Sequence, residues 1–164
     1  MIEPDPNQLK GLAGQVKKEN QKFFKRLKAR PPKDLDPVTH DLHEEVFAEI
    51  DCLECANCCK TTGPLLTDKD IERLSANERM KPGEFTDRFL RLDEDGDYVF
   101  KTMPCRYLGK DNYCSIYDIR PKACREYPHT DRRKQYQILD ITRKNVAVCP
   151  AVYRIVERLK VHYS

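Results

Sequence analysis

A chain of 164 residues with no tryptophan, 9% aromatics and only six glycines has little bulk from which to build a core. The glycines stand apart at positions 11, 14, 63, 83, 96 and 109, which excludes a dinucleotide fingerprint and a glycine-rich phosphate cradle. No run approaches the roughly 18 apolar residues of a membrane span. The first 30 residues contain no apolar h-region, so no secretory signal is expected. No Ser-His-Asp order or paired-carboxylate context marks a hydrolase. With 35% charged residues against 39% apolar ones, hydrophobic burial needs help, and metal ligation can supply it. The length suits one ordinary domain, expected in the cytoplasm.

What the chain does have is cysteine. Four of its eight cysteines fall within positions 52 to 59, as Cys52-x-x-Cys55-x-x-Cys58-Cys59, and the others are Cys105, Cys114, Cys124 and Cys149. An even count could mean four disulfides, but a reducing compartment and a chelation spacing favour metal. Thiolates are soft anionic ligands that suit zinc and iron–sulfur clusters better than magnesium or calcium. Two residues between cysteines let a tight turn aim both sulfurs at one ion, and three sulfurs from one loop can cap corners of a 4Fe–4S cluster. The adjacent side chains of Cys58 and Cys59 diverge, so they serve two neighbouring centres or bridge a binuclear one. At four ligands per centre, eight cysteines fit two centres, with Cys52 and Cys55 going with Cys58.

Charge divides the chain. Residues 1–33 carry nine Lys/Arg against three Asp/Glu, a balance of +6, and residues 34–164 carry 21 against 24, a balance of −3. In the first part Leu9, Leu12, Val16, Phe23 and Leu27 recur at helical spacing between cations, so an amphipathic helix is expected that ends at Arg30-Pro31-Pro32. We read residues 1–33 as a basic helical extension, able to meet a protein partner or a second copy, and residues 34–164 as the cysteine-cluster domain. The acidic balance after residue 33 and the absence of a base-stacking motif argue against nucleic acid.

Further elements can be placed. Asp36-Pro37 opens a helix presenting Leu42, Val46, Phe47 and Ile50 on one side. Thr67 to Asp70 reads as a capping box, with Asp where Glu is usual. A short helix follows Pro82-Gly83, and Asp95-Gly96 before Tyr98-Val99-Phe100 suggests a hairpin. Short strands and turns, with one helical turn near Pro121, are expected from Cys105 to Cys124. Residues 133–145 read equally as strand or helix. Pro150 suits a first helical position ahead of Val152, Ile155, Val156 and Leu159. The sum is an α+β, mainly helical and irregular domain organised around metal.

The flanks of the later cysteines are distinctive: Cys105-Arg-Tyr-Leu, Cys114-Ser-Ile-Tyr, Arg120-Pro-Lys-Ala-Cys124-Arg-Glu-Tyr-Pro and Cys149-Pro. With Cys52-x-x-Cys55-x-x-Cys58-Cys59 they resemble the YkgJ-type cysteine-cluster proteins over residues 50 to 150. That resemblance implies chelation of zinc or iron. The family is similar to the cysteine-rich part of flagellin lysine methylases, which implies an alternative: an iron–sulfur-dependent oxidoreductase or group-transfer enzyme. Asn57 stands where the family often has Gly, and Asn tolerates a left-handed backbone, so the turn is expected to be kept.

Other residues carry weaker signals. His129 could replace a cysteine as ligand, against a surface or supporting role. His40 and His43 lie three apart on a helix without a metal-site pattern and suit solvated or capping positions. Asp93-Glu94-Asp95-Gly96-Asp97 lacks the carboxylate that closes a calcium loop and reads as a charged turn. Arg106, Arg120 and Arg125 either offset the negative charge of a thiolate centre or are ordinary surface arginines.

Overall fold

The structure is a computed structural model that describes Asp5 and residues 7–164. Along the chain it forms α1 (Leu9–Gln15), α2 (Lys17–Ala29), α3 (Leu35–Phe47), α4 (Cys52–Cys55), α5 (Asn57–Thr61), β1 (Leu65–Leu66), α6 (Asp68–Asn77), α7 (Pro82–Phe89), β2 (Leu90–Leu92), β3 (Tyr98–Phe100), α8 (Lys122–Glu126), α9 (Leu139–Asn145) and α10 (Pro150–His162). The fold is mainly helical with a small sheet, as expected. Among the described residues no helix is long and apolar enough to cross a membrane.

The contacts divide the chain into two compact units, residues 1–55 with 128–164, and residues 56–127. The first unit is helical. Its core joins Phe23, Phe24 and Leu27 of α2 to Leu35 and Val46 of α3 and to Val152, Ile155, Val156 and Leu159 of α10. The four-point stripe foreseen on α10 is thus wholly interior, and Pro150 stands in the first helical turn. Each such side chain contributes about 1.5–3 kcal/mol of burial. The expected amino-terminal helix is two helices, because the chain leaves helical geometry at Val16 (φ −98°, ψ 6°). Residues 1–4 and 6 of that extension lie outside the described residues. Ion pairs line the rim: Arg154 with Glu49, Arg158 with Glu45 at 2.9 Å, and Lys160 with Glu19 at 3.0 Å. Residues 133–145 resolve as a short helical turn at Gln135–Gln137 followed by α9.

The second unit packs α6 and α7 on a three-stranded antiparallel sheet of order β1-β3-β2. The hairpin turns at Asp95-Gly96, where Gly96 takes φ +80°. The Asp93 carboxylate accepts the amides of Asp95 and Asp97, both at 2.9 Å, so the acidic run is a self-capped turn. Leu65 and Leu66 add an edge strand paired to Val99 and Tyr98, which two residues are too few to announce. The core here is Leu66, Ile71, Leu74, Phe85, Leu90, Phe100, Tyr107 and Ile116, with Cys105 and Cys114 packed against it.

Candidate metal centre

The cysteine-rich run is helical on both sides of one left-handed residue. Cys52 and Cys55 bound the single turn of α4, and Cys58 and Cys59 lie in α5. Three-apart positions share a helix face, so α4 presents Cys52 and Cys55 together. The left-handed backbone falls on Ala56 (φ 50°, ψ 13°) and not on Asn57, which already begins α5. The expectation that Asn57 would carry the turn is therefore corrected by one position. Cys58 and Cys59 are neighbours on α5, and their thiols lie within hydrogen-bonding reach of each other, against the divergence expected of adjacent side chains.

Within the second unit the backbone gathers four thiols: Cys59, Cys105, Cys114 and Cys124. The Cys105 amide donates to the Cys59 carbonyl at 2.7 Å. Leu108 and Cys114 form an isolated antiparallel bridge that folds the chain back beside Cys105, and the Ser115 amide adds a 2.8 Å bond to the Tyr107 carbonyl. Gly63 takes φ +69°, and the Met103 sulfur sits 2.9 Å from where a Cβ would stand. That close approach brings the segment entering Cys105 against the end of α5.

Cys124 is positioned from α6. Arg73 donates through Nε to the Ile119 carbonyl at 3.0 Å and through Nη2 to the Arg120 carbonyl at 2.9 Å. Asp70, almost fully buried, accepts the Lys122 amide at 3.1 Å and the Arg73 guanidinium at 2.9 Å. The foreseen capping box is complete: the Thr67 hydroxyl accepts from the Asp70 amide, and the Asp70 carboxylate accepts from the Thr67 amide. Burial would raise the Asp70 carboxyl, but the Thr67 amide, Arg73 and the Lys122 amide outweigh it and hold it below the ordinary carboxylate range. The role of Asp70 beyond the cap was not foreseen.

The four thiols feel one another's charge. The Cys58 thiol, hydrogen-bonded to Cys59, lowers Cys59 to about 7. Burial, and then the charge of Cys59, pushes Cys105 and Cys114 up, and Cys124 rises to about 12 through burial and the charges of Cys59, Cys105 and Cys114. Arg120 pulls Cys114 and Cys124 back down, so it does act on the thiol set. It also donates to the Tyr117 carbonyl at 2.7 Å and lies over that ring. Arg106 is engaged otherwise, stacked 3.5 Å over Phe89 and paired with Glu78 at 3.3 Å. Tyr107 donates to the same Glu78 carboxylate at 2.9 Å, tying the Cys105 segment to the residue after α6.

In the first unit, Cys149 precedes α10 and its amide donates to the Asn145 carbonyl at 2.8 Å. Burial pushes its thiol to about 12, with Cys52 and Cys55 adding to the rise and the amides of Val152 and Ala151 opposing it. Cys52, Cys55 and Cys149 are thus electrostatic neighbours. His40 and His43 hold structure: Nε2 of His40 donates to the Arg132 carbonyl at 2.7 Å, and Nδ1 of His43 meets the Thr130 hydroxyl at 2.7 Å. His129 adopts φ 67°. Its carbonyl accepts from Gln135 at 2.8 Å.

No disulfide joins any of the eight cysteines. Among the described residues no group of three or more His, Cys, Asp or Glu side chains is already arranged as a metal-holding set. The donor chemistry nonetheless fits zinc or iron: the second unit alone holds five cysteines, Cys58 among them, enough for the four soft ligands that a tetrahedral zinc or a cubane cluster takes.

A family described as a "putative zinc- or iron-chelating domain", named for its CxxCxxCC motif, matches residues 51–149. That stretch holds all eight cysteines and more than half of the chain. No curated protein and no solved structure matches the chain. The family match supports metal binding and gives no support to the enzymatic alternative. By its cysteine motif and the extent of the match, the chain belongs to the CxxCxxCC zinc- or iron-chelating family.

Proposed function

We propose that this is a cytoplasmic metal-binding protein whose eight cysteines hold zinc or an iron–sulfur cluster at two centres. The observation that carries the reading is the grouping of thiols inside each unit. Cys59, Cys105, Cys114 and Cys124 feel one another in one, and Cys52 and Cys55 act on Cys149 in the other. The first group supplies a complete set of four. The second group supplies three, Cys52, Cys55 and Cys149.

Thiols with raised pKa values carry protons, so a cation bound there replaces protons and is held by thiolates. Four thiolates around zinc leave a net charge of about −2, which Arg120 is placed to offset. The exposed cations of residues 1–33 form a surface for an acidic protein partner or for self-association.

Anaerobic purification with metal and sulfide analysis and an absorption spectrum tests the reading. A colourless protein with zinc and no sulfide makes the centres zinc. Absorption near 400 nm with inorganic sulfide makes them iron–sulfur. A folded full-length chain with neither metal would overturn the proposal.

A further inference from the structure

Helix α6 grips the cysteine-bearing chain of the second unit at both of its ends. At its start Asp70 and Arg73 hold Ile119, Arg120 and Lys122, ahead of Cys124. Just past its end stands Glu78, about 12 Å further along the helix axis. The Tyr107 hydroxyl donates to the Glu78 carboxylate at 2.9 Å, and Arg106 donates to the same oxygen at 3.3 Å.

Tyr107 joins two cysteine segments. It lies two residues after Cys105, and its carbonyl accepts the Ser115 amide at 2.8 Å and the Ser115 hydroxyl at 3.1 Å. Ser115 directly follows Cys114, and Leu108 bridges back to Cys114. The Leu108 amide closes the turn on the Cys105 carbonyl at 3.0 Å. The Tyr107 ring is buried and meets Phe100 edge-on, with centroids 5.9 Å apart. One residue therefore fixes the course of the chain at both Cys105 and Cys114, and Glu78 anchors its hydroxyl.

We propose that Glu78 is a positioning residue of the second-unit metal centre, holding Cys105 and Cys114 through Tyr107 as one pre-set pair. The proposal rests on the metal reading and adds what sets the grip on the metal. Segments pinned before the metal arrives lose less freedom on ligation, and groups behind the ligands commonly change metal affinity by roughly 10- to 100-fold. Of the two bonds to Glu78, the one from Tyr107 is the shorter. Arg106 is partly exposed and is held independently, 3.5 Å over the Phe89 ring. The role of Glu78 is thus to accept the hydroxyl, and its charge is secondary.

Release of zinc or iron into a chromophoric chelator, from the full chain as purified anaerobically, tests this. The release phase absent from Cys124→Ser identifies the second-unit metal. Glu78→Ala and Tyr107→Phe are each expected to speed that phase at least about tenfold, and the double variant no further than the faster single one. Glu78→Gln, which still accepts the hydroxyl, should release within about threefold of wild type. Leu90→Ala, in the same core but away from these hydrogen bonds, should lower the melting temperature and leave the rate unchanged. Where Glu78→Ala is purified without that metal, its retention in Glu78→Gln is the supporting result, and loss from both overturns the proposal. Wild-type rates in Glu78→Ala or Tyr107→Phe would overturn it while leaving the metal reading intact. So would release from Glu78→Gln as fast as from Glu78→Ala, additive effects in the double variant, or equal acceleration by Leu90→Ala. A wild-type chain without that metal would overturn the metal reading, and this proposal with it.

Discussion

The Asp70 carboxylate accepts the backbone amide of Lys122 at 3.1 Å, two residues before Cys124, while it caps its own helix at Thr67. One buried side chain therefore both starts α6 and fixes the segment that delivers a thiol. Asp70→Asn keeps the shape, removes the charge and leaves a donor facing amides. A loss of about 3 kcal/mol in unfolding free energy is expected, with reduced metal at the centre that includes Cys124. Denaturant titration with metal analysis checks both.

The same carboxylate sets a pH dependence. Its pKa is depressed in the fold, so its contribution is present above the ordinary Asp value near 3.8 and is lost as pH falls through the lower folded value. Wild-type stability should therefore fall more steeply below about pH 4 than that of Asp70→Asn. Parallel slopes from thermal melts across that range would contradict the assignment.

Gly63→Ala should be costly despite its small size. The position has a left-handed backbone, and the added methyl meets the Met103 sulfur. A destabilisation of about 1–2 kcal/mol is expected, part of which Met103→Ala should relieve. A double-mutant cycle measures the coupling.

Phe24→Ala tests what the amino-terminal segment does for stability. Phe24 is 1% exposed in the core shared by α2, α3 and α10, so its removal should cost about 3–5 kcal/mol. A loss below about 1 kcal/mol would mean that the segment is an appendage to the fold. Partner capture or self-association through the cations of residues 1–33 is a separate property, read by sedimentation of variants with those lysines reversed.

Local chemistry made much of this legible. The Thr67–Asp70 cap, Pro150 ahead of a four-point apolar face, and the Asp95-Gly96 turn each state their geometry in two to four residues. The eight cysteines and their flanks located the matched stretch. Long-range relations were not legible. Leu65–Leu66 is too short to show alternation, and its pairing depends on a strand more than 30 residues away. Residues 133–145 fail to declare a period because a left-handed Lys134 interrupts them and α9 has only seven residues. Asp70 announces a cap in sequence, whereas its bond to Lys122 spans 52 positions and exists only in the fold. The turn in the cysteine run was displaced from Asn57 to Ala56 because propensity favoured Asn while the helix start at residue 57 had already claimed it.

Under two centres, Cys58 and Cys59 are expected to serve different ones. Cys59→Ser should lower metal at the centre of Cys105, Cys114 and Cys124, and Cys58→Ser should resemble Cys52→Ser and Cys55→Ser. Metal per chain and the visible spectrum, compared across the four variants, check this. If Cys59→Ser leaves both unchanged, the vicinal cysteine is a bystander.

The two-centre account is tested most directly by counting metal per chain in Cys124→Ser, Cys149→Ser and the double variant, each purified anaerobically. Two independent centres predict that each single change removes a different part of the metal and that the losses add in the double variant. Removal of the same metal by either single change, with no further loss in the double, would contradict it.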